Sequence, residues 1–195
     1  MQTRTLRRLG LAAALGLAGV LPAAAVASAT SPITTGSPTA TAAVTAGTLS
    51  FVSTPGNITF PSLVLTGLDQ TTTAQVPIDV SDSTGSGAGW NITATSTQFS
   101  NGTNTLPDNS VTVNAAPTDT CDTGATCVLA SNSISYPYTL PAGTTAPTAT
   151  KMFDAAVNTG MGNQTVTPTF TLSVPAGAYS GTYTSTVTFS LVTGP

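Results

Sequence analysis

Histidine and glutamate are absent from this 195-residue chain, and charge of either sign is scarce, with four Lys and Arg together against seven acidic residues, all of them aspartate. Without histidine the usual general base near neutrality is missing, and so is the imidazole that most often completes a zinc site. A nucleophilic serine needs a base within hydrogen-bonding reach, and only aspartate or Lys151 is left to serve. Arg4, Arg7 and Arg8 all stand at the amino end, so no guanidinium remains further on to clamp a phosphate or an oxyanion. Catalysis is therefore not expected, although seven aspartates leave a paired-aspartate hydrolase open in principle. The same scarcity of positive charge argues against nucleic acid or anionic membrane as a partner.

A long apolar run occurs once. Arg4, Arg7 and Arg8 lead into residues 9–21, and the small residues AAAVASA follow. A positive start, a short apolar stretch and a small-residue cleavage region define a secretory signal peptide, assigned to residues 1–29. The run is too short for a comfortable membrane span, so no transmembrane anchor is expected in the mature chain. General secretion is the default route, and the adjacent Arg7 and Arg8 leave twin-arginine export open. Removing the signal takes three of the four basic residues, leaving Lys151 against seven aspartates, 1 − 7 = −6. Residues 30–46, rich in Thr, Ser, Pro and Ala without periodicity, read as a flexible leader.

From residue 47 to 195 short β-type runs are broken by Gly, Pro, Asn and Asp, and no stretch has amphipathic helical spacing. Nine runs stand out: residues 48–53, 57–65, 72–80, 90–99, 110–115, 133–140, 151–157, 165–174 and 183–193. The expected fold is a single all-β domain, an antiparallel β-sandwich of roughly nine strands, Ig-like or jelly-roll-like. In the last run Tyr183, Ser185, Val187, Phe189 and Leu191 share one face, and threonines with Ser190 occupy the other. The same device recurs in residues 165–174 and 90–97. Threonine is β-branched and soluble without charge, so these faces are expected on the wet side of a sheet.

Cys121 and Cys127 are close in sequence and enter an oxidising compartment, which predicts a disulfide closing a small ring. Asp79 and Asp82 precede the run STGSGAG and invite a calcium reading, but their spacing matches no loop consensus; turn aspartates bonding their own backbone account for them. The glycine run has no following helix or lysine and is a loop rather than a phosphate cradle. No metal or other cofactor is expected. The Asn-x-Thr sequons at Asn57, Asn91, Asn101 and Asn163 accept glycans only in a host that uses them. Trp90, the single tryptophan, directly follows the glycines and shares a face with Ile92 and Ala94. Two roles are open to it: a packing anchor of the sandwich, or a ring with an edge exposed to a ligand at the loop.

Two segments then become recognisable together: DVSDSTGSGAGWNITATSTQF, residues 79–99, and VPAGAYSGTYTSTVTFSLVTGP, residues 174–195. They resemble the two signature regions of the WxL domain, a surface cell-wall-binding module of Gram-positive bacteria. In that family an aspartate- and glycine-rich turn leads into a Trp-x-Leu strand, and a Tyr-containing strand with a second Trp-x-Leu ends near a proline. Here the first motif reads Trp90-Asn91-Ile92 and the second Phe189-Ser190-Leu191. The resemblance implies a secreted, non-enzymatic protein held non-covalently at the cell wall, with peptidoglycan or other cell-surface proteins as partner. It implies Trp90, Ile92, Tyr183, Phe189 and Leu191 as the motif or wall-binding residues. Two rival readings stand beside it. One is a pilin-like or coat-like structural subunit polymerising through sheet edges, with the leader donating a strand. The other is an ice- or glycan-binding threonine face, which requires the three threonine-bearing strands to lie side by side in one flat sheet.

Overall fold

The computed structural model describes residues 36–195. The expected signal peptide, 1–29, and the start of the leader lie outside the described residues. Residues 36–42 carry no secondary structure, and Ala43–Pro195 forms a compact unit. Among the described residues the fold is all-β, with twelve strands and no helix. In chain order they are β1 (Leu49–Phe51), β2 (Gln70–Gln75), β3 (Ile78–Asp82), β4 (Trp90–Thr97), β5 (Val111–Val113) and β6 (Thr118–Cys121). There follow β7 (Tyr138–Thr139), β8 (Ala142–Gly143), β9 (Thr150–Ala155), β10 (Gly162–Thr167), β11 (Thr169–Val174) and β12 (Val187–Thr193).

Three open sheets result: β1-β3-β10-β6, β2-β11-β5-β7, and a third in which β4 has β12 on one side and β9 and β8 on the other. All pairings are antiparallel except that of the two-residue β8 with β4. The first two sheets are linked by a ladder that bends. β3 pairs β10 with Ile78 opposite Val166, and β2 pairs β11 with Gln75 opposite Thr169, so the register passes from one sheet to the other without slip. Between them lie Pro77 and Pro168, which have no N–H to give a ladder. Val76 N–H donates to the Pro168 carbonyl across the bend, at a long 3.4 Å.

The core is built from side chains of all three sheets. Ile78 and Val80 of β3, Val166 of β10, Phe170 of β11, Val113 of β5 and Trp90, Ile92 and Ala94 of β4 are all fully buried. A bulge where β9 pairs β4, between Ile92 and Thr93, places Met152 and Phe153 in succession, and both are buried.

Several expectations change in detail. Residues 57–65 join no ladder, although Ile58 and Phe60 pack on the core; Pro61 breaks the run, and its carbonyl accepts the Thr72 hydroxyl at 3.3 Å instead. Runs 72–80 and 165–174 each divide at their proline, while β6 and β8 add strands that the pattern did not mark. The threonine faces are only partly wet. Thr188 and Ser190 of β12 are exposed as expected, but Asn91 and Thr95 of β4 are buried. Asn91 Nδ2 donates to the Gly194 carbonyl at 2.6 Å and Thr95 Oγ1 to that of Pro147 at 2.7 Å, so loops cover that face of the central strand. With β4 and β12 in one sheet and β11 in another, the single flat threonine array is not formed.

Candidate functional site

The two segments that carry the resemblance are direct partners. β12 pairs β4 over its whole length, with Thr193 opposite Trp90, Leu191 opposite Ile92 and Phe189 opposite Ala94. Gly194 N–H donates to the Gly89 carbonyl at 2.9 Å, extending the ladder to the glycine loop. Thr97 N–H donates to Thr186 at the other end, and bonded pairs alternate along an antiparallel ladder, so Ile92 and Leu191 form a non-bonded pair with their side chains close together.

Trp90 lies fully inside the core. Its ring is 0% exposed, lies 5.9 Å from the Phe153 ring centre to centre, and donates Nε1–H to the Gly160 carbonyl at 2.8 Å. Two glycines make this seat possible. Gly89 holds φ at +74°, and a Cβ there would lie 2.3 Å from the Ala155 carbonyl oxygen. Gly160, at φ +73°, would press a Cβ to 2.5 Å from Trp90 Nε1. Of the two roles open to Trp90, the structure therefore shows packing, with no edge of the ring reaching solvent. Ile92 is likewise fully buried.

The second motif lies at the margin of the core. Tyr183, Phe189 and Leu191 are half-buried, packed on the core from one side. Tyr183 and Phe189 line a groove of about 850 Å³ whose other wall is residues 51–58. A second hollow of about 710 Å³ adjoins it, sharing Ile58, Phe99 and Tyr183, and is bordered by residues 59–65 and Tyr179. Together they form a trough without a charged side chain along its walls. Phe60 meets Phe99 edge-on at 6.2 Å, and Phe189 packs on Phe170 at 6.1 Å. The Tyr183 hydroxyl donates to the Tyr179 carbonyl at 3.0 Å, and Tyr179 itself is 68% exposed at the rim. Phe51, Phe99 and Tyr179 were not singled out by sequence; Tyr179, four residues before Tyr183 in the second signature, was the one with a local signal.

The aspartates take up structural duties. Asp79 and Asp82 differ by three positions on β3 and so leave it on opposite faces. Asp82 is buried, and its Oδ1 accepts the Thr84 N–H at 3.0 Å and hydroxyl at 2.7 Å, the expected turn bond. Asp79 Oδ1 and Asp122 Oδ1 both lie by the Thr165 hydroxyl, at 2.9 and 2.7 Å. Among the described residues no group of three or more possible metal ligands converges. Cys121 and Cys127 form the disulfide, with Cα atoms 5.6 Å apart, next to this surface.

In this open β-sandwich the two signature strands pair, one carrying its motif into the core and the other lining an uncharged aromatic trough. The matching family model is described as WxL domain surface cell wall-binding, and it covers residues 22–195. The chain belongs to the WxL family, and cell-wall association is the property of that family. No curated protein and no solved structure matches the chain significantly. Among the described residues no helix is long and apolar enough to cross a membrane.

Proposed function

We propose that this is a secreted, non-enzymatic surface protein that associates non-covalently with the Gram-positive cell wall, with peptidoglycan or proteins already bound there as its partner. The observation that carries the reading is the uncharged trough of a wall-binding family member, bordered by Tyr179 and Tyr183 of the second signature. Aromatic rings beside hydroxyl and backbone groups suit a neutral polymer, which they hold by stacking and hydrogen bonds. In this reading the polymer lies in the hollow bordered by Tyr179 and Tyr183, so of the five motif residues Tyr183 serves the contact surface, and Phe189, Leu191, Trp90 and Ile92 hold its strands in place. Binding without charge pairs depends weakly on salt.

Sedimentation of the purified protein with isolated peptidoglycan tests this, comparing wild type with Tyr179→Ala and Tyr183→Ala. Loss of an aromatic contact worth more than about 1 kcal/mol weakens binding about five- to tenfold. If wild type stays in the supernatant at every salt concentration, peptidoglycan is not the ligand and wall-bound proteins take its place. Secretion has its own check: protein recovered from the culture medium should lack the first 29 residues by intact mass.

A further inference from the structure

The residues that line the groove present backbone as well as side chains to it. β12 pairs only with β4 among the described residues. Thr97 N–H bonds the Thr186 carbonyl and Gly194 N–H that of Gly89, which fixes the phase of the ladder. By alternation Thr188, Ser190 and Val192 bond toward β4, and the N–H and C=O groups of Val187, Phe189 and Leu191 aim the other way. No described backbone group bonds them there. β1 comes close to β12 without pairing with it. Beyond Phe51 the two part, and the groove opens between residues 51–58 and 183–189.

An unpaired strand edge beside a groove that contains the rings of Phe51, Phe99 and Phe189 calls for a partner with two properties. It must bring its own N–H and C=O groups at strand spacing, and it must offer side chains small enough to lie against rings already in place. One described segment has both. Residues 36–46 have no secondary structure and are exposed throughout, Val44 to 97%. Within them Ala40, Ala42, Val44 and Ala46 alternate with Thr39, Thr41, Ala43 and Thr45. In an extended chain that puts a stripe of small apolar side chains on one face and mainly hydroxyls on the other. Residues 39–46 extended reach about 27 Å and the wall of the groove from Tyr183 to Phe189 about 24 Å, so the lengths agree. Neither the segment nor the groove carries a charge, so no buried ion opposes the union.

We propose that the open edge of β12 accepts residues 39–46 of a second copy of this chain as an added strand, with Ala40, Ala42 and Val44 turned into the groove. The contact is heterologous, because one copy donates a segment and the next accepts it on a different surface, so repetition gives a filament or a closed ring, of which a reciprocally exchanged dimer is the smallest.

Sedimentation velocity of the purified protein over a concentration series tests the proposal with two variants. Val44→Asp alters only an exposed side chain of the donor segment and puts an unpaired charge where the groove is apolar. Val187→Lys places a charge at the acceptor edge and leaves the donor intact. Wild type is expected to form species above the monomer that grow with concentration, and each variant to lose them. An equal mixture of the two is expected to regain one species, a dimer, since only one donor and one acceptor remain competent. Should Val187→Lys fail to fold, Val44→Asp decides alone. Wild type monomeric at all concentrations, Val44→Asp associating like wild type, or a mixture that stays monomeric with both variants folded would overturn the proposal.

Discussion

Replacing Trp90 by alanine should cost the fold about 3–5 kcal/mol, the range for truncating a large buried aromatic side chain. The ring is completely buried against Phe153, and its Nε1–H is the donor to the Gly160 carbonyl. Truncation also orphans that carbonyl, adding about 1–3 kcal/mol wherever water cannot reach it. Domains of this kind are stable by about 5–15 kcal/mol, so the variant gives up a large share of the total. At about 2–4 °C per kcal/mol for a domain of this size, the truncation alone lowers Tm by about 6–20 °C. Trp90→Phe retains most of the ring, loses the donor and some volume, and should cost about 1–3 kcal/mol. Thermal and urea melts followed by far-UV circular dichroism suit both variants, because the only tryptophan is the residue removed. A loss below about 1 kcal/mol for Trp90→Ala would refute the anchoring role. So would a Trp90→Phe protein that melts like wild type and no longer sediments with peptidoglycan, since that combination requires the indole to touch ligand.

Three further predictions rest on neighbouring features. Gly160→Ala forces a Cβ against Trp90 Nε1 at a φ of +73°, so it should lower Tm by several degrees even though only a methyl group is added; an unchanged melt would mean that the loop yields freely. Cys121→Ser with Cys127→Ser opens a ring of six-residue separation and should cost about 2 kcal/mol by loop entropy, read as a shift in urea midpoint with wall sedimentation retained. Burial pushes the Asp119 carboxyl above its ordinary value of 3.8, against backbone hydrogen bonds from Ala130 and Thr120. The folded chain thus holds that proton more tightly than the unfolded one, so the ionised carboxylate costs stability in full above its raised pKa, and the cost fades as pH falls through that pKa and is gone below 3.8. Asp119→Asn, which keeps an oxygen for the Ala130 N–H, should melt above wild type at pH 7 and converge with it in acid; a lower melt at pH 7 would contradict the assignment.

Much of the fold could be read locally. Alternation in residues 183–193 predicts which side of β12 packs on the core, because side chains of a strand point to opposite faces whatever it pairs with. The short separation of Cys121 and Cys127 predicts their bond for a similar reason. The local pattern misleads where distant chain decides. Asn91 and Thr95 have the pattern of an exposed face, yet loops around Pro147 and Gly194 cover them. Residues 57–65 have strand-forming side chains and no neighbour to pair with, and Pro77 and Pro168 lie opposite each other's strands, so two apparent long strands become four.

The candidate site divides along the same line. The chemistry it lacks, the signature segments and the apolar faces of their strands were all set by residue type and spacing, which hold in any conformation. Pairing of β4 with β12, the burial of the Trp90 ring beneath Gly160, and the meeting of residues 51–65 with 179–189 around an uncharged trough were decided only by the tertiary structure. A strand's alternation states that it has an inside and an outside, but which partner covers the inside depends on backbone hydrogen bonds between segments about a hundred residues apart, and those bonds carry no side-chain signature.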